Sequence, residues 1–87
     1  MQGLPFEIPE SLQPYISQFE SDPESGIANL KAHIKKRGMD AVGFSLLAWL
    51  CQENGNQEDA LKYALKAKVC APGSPFIEYL HYFLIHP

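Results

Sequence analysis

The residues of this chain with the most chemical reach are two cysteines, three histidines and a few carboxylates beside a turn. Cys51 and Cys70 lie 19 positions apart. They form no CxxC pair, and two thiols do not make a disulfide framework. His33, His81 and His86 have no ligand spacing with one another; the last two are five apart, which sets them well round a helix rather than on one face. Cys51 can be drawn with a distant histidine as a nucleophile pair, but a cysteine buried in a helix is inert by default. Glu53, Glu58 and Asp59 flank a turn and read as solvated capping charges. No HExxH, glycine-rich phosphate loop or nucleophile elbow occurs. The residues therefore point to no catalysis, no cofactor, no metal and no small-molecule substrate.

The chemistry left is that of surfaces. Eighty-seven residues, 46% hydrophobic and 20% charged, make one globular domain with a thin stability margin. A net charge of −3 argues against a general nucleic-acid binder, which needs a basic face. The opening residues, Met1 to Glu7, read as neither a secretory signal nor a transit peptide. No stretch of about 18 apolar residues offers a membrane span. Two cysteines read as small buried hydrophobes fit a reducing, cytoplasmic setting.

The elements that must position these side chains are helices. Asp22 as N-cap and Pro23 in the first turn open a second helix, which Gly38 ends; Lys35, Lys36 and Arg37 suit its negative end. Asp40 caps a third helix over Ala41 to about Glu53. Asn54-Gly55-Asn56 is a turn, and Asn56 caps a fourth helix running to about Cys70. Pro72-Gly73 breaks it, and Ser74-Pro75 opens a fifth helix to about Ile85. The first helix, about Pro9 to Phe19, contains Pro14, so it either kinks there or begins nearer Leu12. No segment alternates as a strand does.

A period of 34 runs through these helices. Leu12, Leu46 and Leu80 stand at that spacing, as do Ile16, Leu50 and Leu84; Ile8, Val42 and Phe76; and the aromatic series Tyr15, Trp49 and Phe83. A fixed period of this length points to a solenoid, whose units stack to close a core that none closes alone. Residues 41–74 resemble a tetratricopeptide repeat (TPR). Phe44 stands in the first aromatic place, Leu47-Ala48 in the Leu-Gly place, Gly55 at the turn, and Ala60, Ala67 and Pro72 in the later places. Cys51 and Ala64 depart from the pattern by being smaller. Residues 7–40 read as a degraded copy, with Ser21, Gly26 and Ile27 aligned on Gly55, Ala60 and Leu61. Residues 75–87 match the first helix of a third unit. The resemblance implies an all-α, right-handed solenoid of about two and a half helix–turn–helix units in five helices.

It also implies a function, that of a protein-interaction scaffold or adaptor. In the family the first helix of each repeat lines a groove. Carried over, the groove positions are Ile8, Ser11, Tyr15 and Gln18, then Val42, Ser45, Trp49 and Gln52, with Phe76, Tyr79, Phe83 and His86 in the third unit. All seven basic residues lie in the second and fourth helices, so a groove on the other helices is apolar and mildly acidic and suits an apolar or basic peptide or helix. The lysines then solvate the outer face. The places that hold an acidic chaperone tail in some TPR proteins carry no lysine or arginine here, which disfavours that use. The last segment, Phe76 to Ile85, is apolar on nearly every side and needs a second cover. Self-association through Phe76, Tyr79, Tyr82 and Phe83, giving a homodimer or assembly subunit, is the alternative function.

Overall fold

In the computed structural model, residues 8–37, 40–75, 77, 78 and 82 are described. They are all-helical, with no strand among them. Four α-helices are delimited: α1 (Gln13–Ser21), α2 (Pro23–Arg37), α3 (Ala41–Glu53) and α4 (Gln57–Cys70). A fifth was expected over 75–85. Most of that span lies outside the described residues; Pro75, Ile77, Glu78 and Tyr82 within it are helical. Gly38, the expected stop for α2, is also outside them.

The start of α1 shows how Pro14 is accommodated. A single 3-10 turn, Glu10–Leu12, precedes the helix, and the Leu12 amide donates to the Pro9 carbonyl at 2.9 Å. Pro14 then falls in the first turn of α1, where a missing N–H costs nothing. The later start is therefore what forms, rather than a kink.

One residue, Asp22, joins α1 to α2 in an extended conformation. Its amide donates to the Gln18 carbonyl at 2.7 Å and closes α1. Its carboxylate accepts from the Ser25 hydroxyl at 2.8 Å and from the Ser25 amide at 3.4 Å, and so opens α2. A link this short sets the two helices against each other, and Gly26 allows it. A Cβ built on Gly26 would lie 2.5 Å from the Phe19 amide nitrogen and 2.6 Å from its Cα. Gln18 and Asn29 join the same pair through a side-chain hydrogen bond of 2.9 Å.

The second hairpin is built from the expected caps. The Asp40 carboxylate accepts from the Val42 amide at 3.1 Å. The Asn56 side-chain oxygen accepts from the Asp59 amide at 3.1 Å, and its nitrogen donates to the Asp59 carboxylate at 3.0 Å. Gly55 between them has φ +82°, the left-handed conformation that glycine adopts without strain.

Packing runs mainly between consecutive helices: most extensively α3 with α4, then α1 with α2, then α2 with α3. Leu12, Ile16 and Phe19 from α1 and its leading turn meet Leu30 and Ile34 from α2 and the apolar body of α3. Ala48, Ala60, Ala64 and Ala67 are fully buried, and their small side chains let α3 and α4 approach closely. No described helix is long and apolar enough to cross a membrane.

Candidate functional site

The groove positions expected from the 34-residue spacing do not share one environment. Ile8 and Tyr15 are half-buried, Ser11 is exposed, Val42 is at the surface and Gln52 is half-buried. Tyr15 packs on the His33 ring of α2, with centroids 5.1 Å apart and planes tilted by 48°. Ser45 and Trp49 are core residues. Ser45 turns its hydroxyl back to donate to the Ala41 carbonyl at 2.7 Å, and Trp49 is only 5% exposed. The physical reason is the position of α3. Every residue from Ser45 to Cys51 is buried, almost two full turns, so this helix is covered on all its sides and presents no open wall there. Of the residues expected to self-associate, Tyr82 is 63% exposed; Phe76, Tyr79 and Phe83 lie outside the described residues, as does His86.

An open cleft lies instead on the basic side of the molecule. It has a volume of about 380 Å³. Lys31, Ile34 and Lys35 of α2 form one wall, Tyr63 and Lys66 of α4 the other, and Phe44 and Leu47 of α3 lie between them. Helical spacing explains the arrangement. Lys31 and Lys35, one turn apart, share a face of α2, as Lys62 and Lys66 share a face of α4. Phe44 and Tyr63 lie nearly parallel, at 13°, with centroids 6.2 Å apart.

Three ammonium groups surround this ring pair. Lys31, Lys62 and Lys66 place Nζ 5.5, 5.4 and 5.9 Å from the Tyr63 centroid, and Lys66 lies 5.8 Å from that of Phe44. These distances fall within cation–π range. Among the described residues no carboxylate lines the cleft, and none of Lys31, Lys35, Lys62 and Lys66 forms an ion pair. Lys68 does, with Glu78 at 3.4 Å. A second hollow of about 410 Å³ adjoins the cleft, sharing Phe44 and Lys66 and adding Leu65 and Val69, which are 50% and 71% exposed. The sequence treats these lysines as solvation of an outer face. Its one usable signal was the like-charged pairs 31/35 and 62/66, which cost an isolated helix a few tenths of a kcal/mol.

The groups considered for chemistry are placed apart from the cleft. No set of three or more His, Cys, Asp or Glu side chains is arranged to hold a metal among the described residues. Burial pushes the Cys51 thiol up from an ordinary 9.0 to about 11; the Lys31 charge opposes the shift and that of Asp59 reinforces it. Such a thiol is protonated at neutral pH and is a poor nucleophile. The folded chain holds this proton more tightly than the unfolded chain does. The resulting stability is complete below about pH 9 and is lost as pH rises toward 11. In urea titrations across that window, Cys51→Ala should remove roughly 1–3 kcal/mol of the parent's decline. An identical decline in the variant would show that Cys51 is not the group responsible.

No family model, curated protein or solved structure matches this chain.

Proposed function

We propose that the chain is a protein-interaction module: a stack of TPR-like helical hairpins that holds a segment of a partner protein. The observation that carries this reading is the open cleft between α2, α3 and α4, with aromatic and aliphatic side chains inside and lysines at its edge. Clefts of this size, mostly apolar with a few placed polar groups, are where ligands bind. Aromatic residues are also enriched among binding hot spots.

The repeat reading has support of its own. Asp22 and Asn56 are 34 residues apart, and each is hydrogen-bonded to the first turn of the helix that follows it. The helices they precede, Pro23–Arg37 and Gln57–Cys70, begin in the same register. At the same offset Leu12 and Leu46, Ile16 and Leu50, Gly26 and Ala60, and Leu30 and Ala64 are all buried. Contacts chiefly between neighbouring helices suit an open, right-handed stack. In this reading the chain has no catalytic role and works where its partner is.

Selection of a random displayed peptide library on the full chain tests the proposal. Peptides should be enriched that bind the parent and are lost with Phe44→Ala. Leu65→Asp, at an exposed site beside the cleft, serves if the first variant fails to fold. Enrichment indifferent to both changes would remove the cleft from consideration. Self-association is a second reading, favoured by the exposure of Tyr82 beside a chemically apolar segment. Under it, Tyr82→Glu should lower the mass found by sedimentation, and a parent already monomeric at high concentration would end it.

A further inference from the structure

The cleft combines two features that constrain its occupant. Its interior is apolar: Ile34 and Leu47 are buried, and the Phe44–Tyr63 pair stands above them. Its edge is cationic: Lys31, Lys35 and Lys66 line it and Lys62 stands beside Tyr63, all four exposed and none in an ion pair among the described residues. Like charges held one turn apart on two facing helices repel. An anionic ligand relieves that repulsion at both walls, whereas a basic one adds to it.

Resting on the interaction reading above, we propose that the cleft takes an acidic segment of another protein that carries a large apolar side chain. The carboxylates pair with the four lysines. The apolar side chain lies against Phe44, and further apolar residues follow the exposed strip made by Leu65 and Val69. This reverses the charge expected of a ligand from the sequence, because the open cleft lies on the lysine-bearing helices.

Two observations favour a protein segment over a nucleic acid. The flat faces on which a base would stack are already engaged: Phe44 and Tyr63 lie against each other, with ammonium groups over them. The chain's net charge of −3 also disfavours general binding to a phosphate backbone, which draws on a net basic surface.

The test is fluorescence anisotropy with a labelled synthetic peptide of glutamates around a central phenylalanine. Its controls are the same peptide with glutamines and a short oligothymidylate. The glutamate peptide should bind at least about tenfold more tightly than the glutamine peptide at low salt, and the difference should shrink as salt rises. Lys35→Glu combined with Lys66→Glu should weaken the glutamate peptide by about tenfold or more. Both positions are exposed and outside any ion pair, so the helical circular dichroism should be unchanged. Equal binding of the glutamate and glutamine peptides overturns the proposal, and tighter binding of oligothymidylate reassigns the cleft to nucleic acid. If display yields Phe44-dependent ligands without acidic residues, the acidic assignment falls and the interaction module stands. If it yields no such ligand, the module itself falls.

Discussion

Trp49→Ala should lower the unfolding free energy by about 3–5 kcal/mol, the usual cost of truncating a large buried aromatic. The indole is 5% exposed and belongs to the main hydrophobic cluster, in a helix whose residues are buried from Ser45 to Cys51. A domain of this size has only about 5–10 kcal/mol in total, so the variant should be close to unfolded at physiological temperature. Urea denaturation followed by far-ultraviolet circular dichroism measures it. Trp49 is the single tryptophan, which gives a second readout in the parent. Its emission should be blue-shifted and resist acrylamide quenching until the chain unfolds. A loss below about 1 kcal/mol, with emission typical of water, would instead place the indole on a binding surface.

The second large effect is expected at Gly26. Alanine here brings a Cβ to 2.5 Å from the Phe19 nitrogen, 2.6 Å from its Cα and 2.9 Å from its Cβ. Two of those three atoms are backbone, so no rotamer change relieves the contact; α1 has to move away from α2. The one-residue link at Asp22 leaves little room for that movement. In an open helix the same change would gain up to about 1 kcal/mol from helix propensity. Overpacking costs about 1–3 kcal/mol and should win, with a net loss of about 1–2 kcal/mol for alanine and more for valine. The comparison position is Gly55, where nothing lies within 4 Å and the constraint is φ +82° alone. Gly55→Asn should therefore be tolerated, because asparagine visits the left-handed region, whereas Gly26→Asn should not. Melting curves of these variants separate the two causes. A stabilised Gly26→Ala would mean that α1 and α2 are free to part.

The readability of this fold depends on the distance over which each cause acts. Asp22, Asp40 and Asn56 are legible as caps because a cap is a contact with an amide two or three residues away. Pro14 was half-legible: the chain announces a disturbance, but whether a helix bends or starts late depends on what the preceding turn can pack, and Leu12 packs into the core. Trp49 is buried where the repeat spacing suggests a groove wall, because period 34 names equivalent positions without saying whether each is covered. Coverage depends on how the helices before and after α3 pack against it, which no local pattern fixes.

The cleft is the strongest instance. Lys31 and Lys35 stand roughly 30 residues from Lys62 and Lys66, and Phe44 is 19 from Tyr63. Nothing local relates them, and as separate residues each reads as an ordinary solvated lysine or a core aromatic. By itself the chain determined its helical class, its turns, its caps and the small residues at its tightest crossings, because these follow from backbone geometry over a few residues. Only the tertiary packing decided which side of the helices opens and what charge borders the opening, because both depend on the distance and rotation between α2 and α4.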